Sequence, residues 1–163
     1  MGQRERLLLQ IAVLIHACGK FISVRNSNEC AYNIIMSTEI IGISHLEREI
    51  IANVVRYNIR DFDYNKVRME TELDAVTDSF GGQNEVMLLI AKLTAILRLA
   101  NSMDRGHGNK LADCKMAVKD GKLMITTDYP GDITLEAVSF EQKAAFFEEI
   151  FGIRPVLRHK KYR

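Results

Sequence analysis

The three cysteines, Cys18, Cys30 and Cys114, form no CxxC pair. They are too few and too scattered for a disulfide framework, so a reducing cytoplasmic setting is expected. Neither sign of charge is in excess. Lys and Arg number 22 against 21 Asp and Glu, for a formal net charge of +1, which argues against nucleic acid as a general partner, although a local basic cluster still acts through its own field. No serine sits in a Gly-x-Ser-x-Gly elbow, and no glycine-rich phosphate loop follows a strand pattern. Internal repeats and low-complexity segments are also missing. The apolar run Leu7 to Ile15 stops at His16, far short of the ~20 residues of a membrane span, and no small-residue cleavage site follows it. A membrane partner is therefore not expected. Because this apolar helix starts so near residue 1, the chain reads as the C-terminal piece of a longer protein.

Apolar residues make up 47% of the 163-residue chain and charged residues 26%, an ordinary globular balance. The apolar pattern predicts a helix over residues 4–18, greasy nearly all round as a bundle's central helix would be, with Gly19 as its C′ stop. Asn26, Ser27 and Asn28 offer N-caps for a second helix over 29–37, with Ala31, Ile34 and Ile35 on one face. Ser44 and Glu47 have capping-box spacing, which predicts a third helix to about Tyr57 that buries Leu46, Ile50, Ile51, Val54 and Val55. A weaker pattern suggests a helix over 70–79. Asn84 is placed to cap a long helix over 85–103, with Met87, Leu88, Ile90, Ala91, Ala95, Leu97 and Leu99 as its apolar positions.

Beyond Lys110 the period changes to two. Met116 and Val118, then Leu123 and Ile125 after the Asp120-Gly121 turn, predict two half-buried antiparallel strands. A third strand is expected over 132–137. Ser139 and Gln142 are spaced as a capping box for a helix closing at Gly152, with Phe146, Phe147 and Ile150 inward, and a last strand over 153–157 precedes a basic tail. The fold class that follows is mostly α: a helical domain over residues 1–110 and a small α+β domain of antiparallel strands with one helix over 111–163.

Three segments, in order and at matching spacing, carry a family resemblance. They are Leu8 to His16 with Gly19-Lys20-Phe21-Ile22, then Glu47 to Tyr57, then Lys92 to Ala100 with Met103-Asp104-Arg105 and His107. Together they resemble the C-terminal half of the exopolyphosphatase / guanosine pentaphosphate phosphatase (Ppx/GppA) family. The resemblance implies an HD-like helical domain followed by a small α+β domain, with the catalytic actin-like domains lying upstream and outside this sequence.

An HD metal centre needs a first histidine, a His-Asp pair, a further histidine and a distal aspartate, because a divalent cation requires several N/O ligands converging from different helices. Set on that pattern, the sequence keeps His16 but has Ala17 for the adjacent aspartate, Cys30 and Asn58 for histidines, and Asn101 for the last aspartate. The resemblance thus implies a degenerate metal site, no catalytic residue and no cofactor in this region, the divalent metal belonging to the upstream domains. Lys20, Arg25, Arg56, Arg98, Arg105, His107 and Lys110, with Arg60, are the candidates for binding polyphosphate or a nucleotide polyphosphate. The function expected is accessory: substrate binding and homodimer formation. Two alternatives stand beside it, an HD-type phosphohydrolase with an unusual ligand set around His16 and Cys30, and a purely structural dimerisation module.

Overall fold

A computed structural model describes residues 1–70 and 82–160. The expected helix over 70–79 lies almost wholly outside the described residues. The elements are α1 (Gln3–Ile15), a 3-10 segment (Cys18–Phe21), α2 (Ser27–Ser37), α3 (His45–Arg56), α4 (Tyr64–Glu70), α5 (Gln83–Met103), β1 (Lys115–Lys119), β2 (Lys122–Thr127), α6 (Thr134–Phe151) and β3 (Arg154–His159). The chain is mostly helical with one small sheet, as the sequence predicts. It divides into two compact units, Met1–Leu97 and Arg98–Arg163, so the boundary falls inside α5.

In the first unit α3 is the central helix. Every one of its residues except His45 and Arg48 is buried. The capping box that predicts it is present: the Ser44 hydroxyl accepts from the Glu47 amide at 3.2 Å, and Glu47 Oε2 accepts from the Ser44 amide at 2.8 Å. Arg4 of α1 donates to the same carboxylate at 2.7 Å and to the Gly42 carbonyl at 2.6 Å. The bond and charge of Arg4 hold the Glu47 carboxyl below the usual carboxylate range. Leu8, Ala31, Ile35, Ile50, Ile51, Val54, Val86, Ile90, Leu93 and Leu97 form one core cluster, each fully buried Leu, Ile or Val contributing about 1.5–3 kcal/mol.

Helix α1 departs from expectation. Only Leu8 and Ala12 are fully buried, while Leu14 is 83% exposed and Leu7 and Val13 are also open. Its greasy circumference therefore does not mark the centre of the bundle, because α3 occupies that place. Gly19 is not a left-handed stop either. A Cβ there would lie 1.8 Å from the Ser27 carbonyl oxygen and 2.6 Å from the Ala31 nitrogen, so the glycine is what lets the 3-10 segment touch the backbone of α2. Helix α5 starts at Gln83 rather than after Asn84, and Leu88 is exposed rather than buried. It is long and apolar enough to cross a membrane by length and composition, but most of its apolar window is buried inside the protein.

In the second unit the β1–β2 hairpin has the predicted antiparallel register, with Met116 opposite Ile125 and Val118 opposite Leu123. Asp120 and Gly121 both take positive φ, 52° and 69°, as a type I′ turn requires. Yet β1 is exposed along its whole length, so Met116 and Val118 are not half-buried as expected. Residues 132–137 are not a strand. Helix α6 begins at Thr134, with the Asp132 carboxylate accepting from the Thr134 amide at 3.0 Å and its hydroxyl at 2.6 Å. Ser139 is consequently interior to the helix, and its supposed capping box does not exist. The short run Ile133-Thr134 looks β-like, but Glu136, Phe140, Ala144 and Phe147 recur at helical spacing and are all buried, and that longer face prevails. Gly152 ends α6 at φ 68°, as predicted. Strand β3 then joins β2 in parallel rather than antiparallel, so the order is β1-β2-β3 with α6 as the crossover.

Candidate functional site

In the first unit the candidate residues lie at the end of α1, near the start of α2 and at the end of α3. His16 closes α1, half-buried, and its Nδ1 lies 2.7 Å from the Val13 carbonyl. That bond satisfies one of the helix's last free carbonyls and requires the proton on Nδ1. Ala17 beside it is exposed, and Cys30 on α2 is half-buried. All three cysteines are free, and burial pushes the Cys18 thiol up.

Next to Cys30, Glu29 gathers cations. Arg56 Nε donates to it at 2.9 Å and Arg56 Nη2 lies 2.8 Å from the second oxygen, a two-pronged pair. Arg60 bonds the same carboxylate. Burial acts to raise the Glu29 pKa, but the hydrogen bond and charge of Arg56, with the charges of Arg60 and Lys66, outweigh it and hold the carboxyl low. The Arg56 guanidinium is 5% exposed and stacks 4.7 Å above the Tyr32 ring. Asn58, two residues on, is buried. Two guanidiniums thus share the Glu29 carboxylate. Lys20 and Arg25 are exposed on the segment between α1 and α2.

In the second unit Arg98 is 6% exposed, its guanidinium 4.7 Å above the Phe146 ring. Asn101 is half-buried on the last turns of α5. Arg105 and His107 are exposed in the turn that follows, where His107 and Asn109 take left-handed φ of 50° and 53°. The turn is tied by Asp104, whose carboxylate accepts from the Asn109 amide at 2.8 Å. Lys110 is held by Glu136, at 3.2 Å, and by the Asp132 carbonyl, at 3.0 Å. Glu136 also accepts from the Gly106 amide at 3.3 Å.

Glu136, with no exposed surface, organises this loop, and the sequence reading missed it by assigning its segment to a strand. The signal that could have found it is the Asp132-Ile133-Thr134 helix start, which places Glu136 in a first turn, where a carboxylate is favoured. A groove of about 650 Å³ lies alongside, lined by Tyr129, Asp132, Thr134, Leu157, His159 and Lys160 among others. There His159 Nε2 lies 2.7 Å from the Tyr129 carbonyl. Bonds from Thr134 hold the Asp132 carboxyl low at the helix start.

Arg56, Arg98 and Lys110 therefore tie elements together, whereas Lys20, Arg25, Arg105 and His107 are open to solvent. Among the described residues no three His, Cys, Asp or Glu side chains are grouped so as to hold a metal ion. A helical bundle packed around one buried helix, continued into a hairpin and a helical crossover, is the architecture of a helical region with a small α+β extension. The chain belongs to the Ppx/GppA phosphatase family: the model of that family's domain III matches residues 1–143, from α1 into α6. No curated protein matches the chain.

Proposed function

We propose that this region is a non-catalytic, accessory part of an exopolyphosphatase-like cytoplasmic protein, which helps to hold polyphosphate or a nucleotide polyphosphate and forms a homodimer. In this reading the phosphoanhydride is hydrolysed by upstream actin-like domains that carry the divalent metal. The observation that carries it is a set of exposed cations: Arg105 and His107 after α5, and in the first unit Arg60, 48% exposed beside Glu29. Lys20 and Arg25, exposed in the same unit, add positive charge without adding a carboxylate.

The HD positions do not fit a cation. Ala17 has no donor, Asn58 and Asn101 are neutral amides, and His16 already has one ring nitrogen committed to Val13. One remaining imidazole nitrogen and the Cys30 thiol are too few ligands to replace a divalent ion's hydration shell. The five positions are read as a degenerate metal site.

The test is titration of long-chain polyphosphate into this protein and into a variant with Lys20, Arg25 and Arg105 neutralised. Wild type should bind with steep salt dependence and the variant more weakly. Equal binding by the two, or none by either, removes the binding role and leaves the dimerisation module. About one tightly held Mn, Fe or Zn per chain, with hydrolysis of a nucleotide or generic phosphodiester, would instead establish the HD phosphohydrolase.

A further inference from the structure

The registers of the small sheet sort its side chains into two faces. Ile125 and Thr127 are buried and Leu123 half-buried, so by alternation Lys122, Met124 and Thr126 point to the opposite face. Partners across the ladders share that face. One row holds Lys119, Lys122 and Arg154, the next Ala117, Met124 and Val156, and the third Lys115, Thr126 and Arg158. Lys119, Lys122, Met124 and Arg158, drawn from all three strands, line one shallow depression of about 200 Å³. Asp120 at the hairpin tip is its only carboxylate among the described residues. Lys115, Lys119, Lys122 and Arg158 are exposed, whereas Arg154 turns to Glu141 and Glu148 of α6.

We propose that this outer sheet face is a docking surface for single-stranded RNA, separate from the cations around Glu29. With strands ~4.8 Å apart and alternate residues ~6.7 Å apart along each strand, the two cation rows are about 13 Å apart, room for two or three nucleotides. Phosphates lie on the basic rows and bases cover the apolar middle row of Met124 and Val156.

That middle row decides the class of ligand. An inorganic phosphate chain gains nothing from methionine and valine, and a duplex keeps its bases stacked inside. A lipid surface would call for bulky apolar side chains standing clear of the sheet, but Met124 and Val156 are half-buried between the cations. Among the described residues the face has no aromatic ring for stacking, so affinity will be modest and dominated by backbone charge, in the range of about 10⁻⁴–10⁻⁶ M. The chain's net charge of +1 does not describe this face.

The test is fluorescence anisotropy of a labelled short oligouridylate at about 50 and about 200 mM salt. The variants are Lys119→Glu/Lys122→Glu/Arg158→Glu, its glutamine counterpart, and Met124→Ala, each checked for native circular dichroism. Wild type should bind. The glutamine triple variant should bind at least about tenfold more weakly and lower the slope of log K against log salt by about 2, since each lost phosphate contact removes ~0.7. Met124→Ala should weaken binding a few-fold without changing the slope.

The variant neutralised at Lys20, Arg25 and Arg105 should bind RNA as wild type does, whatever it does to polyphosphate. Loss there would overturn the assignment to the sheet. So would wild-type affinity in the glutamine triple variant, or absence of RNA binding. Binding of long-chain polyphosphate or phosphatidylserine vesicles through these residues with no binding of RNA would also overturn it.

Discussion

Helix α3 and strand β1 lie at opposite extremes. Almost no residue of α3 reaches solvent, and every residue of β1 does. The first unit is held by a large apolar cluster around α3. Among the described residues the second has fewer buried anchors, chiefly Ile125, Ile133, Phe140, Ala144 and Phe147, and relies on particular polar ties such as Glu136 to Lys110 and Gly106. The contrast shows two ways of fixing a loop or helix end: many interchangeable apolar contacts, or a few specific ones that fail singly.

The largest effect should come from Ile51→Ala, a fully buried position, which should cost about 2–5 kcal/mol in urea unfolding. Hydrogen exchange should show that loss across residues 1–97 first. Equal loss of protection in both units would mean that they unfold as one cooperative body, and the contrast would be only geometric. Next is Glu136→Gln, which should cost about 1.5–3 kcal/mol by removing a charge-assisted bond from a buried site. Adding Lys110→Met should recover most of that loss. No recovery would show that the Gly106 bond, and not the ion pair, holds the loop.

Smaller again is a pH effect at Glu29. Its folded pKa lies below the ordinary carboxylate value because of Arg56 and Arg60. Its stabilisation is therefore present above the unfolded pKa and lost as pH falls through the folded one. Urea midpoints followed from neutral to acid pH should decline less steeply for Glu29→Gln than for wild type, and parallel curves would remove Glu29 from the acid response. The smallest effect should be Met116→Ala on β1, within about 0.5 kcal/mol. A larger loss in its denaturation midpoint would mean that this strand is covered in solution.

What the sequence disclosed follows the range of each interaction. The Ser44/Glu47 box, the Asp120-Gly121 turn and the Gly152 stop are local, and each was legible. The packing role of Gly19 was not, because it depends on Ser27 and Ala31 arriving from the next helix. Likewise Arg56 reads as a spare cation until Glu29, 27 residues earlier, is brought against it. The start of α6 was misread because Ile133-Thr134 mimics a strand locally and only the longer spacing to Phe140 and Phe147 corrects it. Residue types at the candidate site were visible from the outset; the partners that occupy them were not.

The parallel pairing of β3 bears on the order of assembly. The β1–β2 hairpin closes over a two-residue turn, so it can form in microseconds from local chain alone. Strand β3 has no such route. It can reach β2 only after the 18-residue α6 has folded and swung back across the sheet, a non-local closure that is intrinsically slower. During synthesis β2 must therefore wait with one unpaired edge until β3 emerges. In that interval the edge of β2, central in the finished sheet, is open to pairing with another chain.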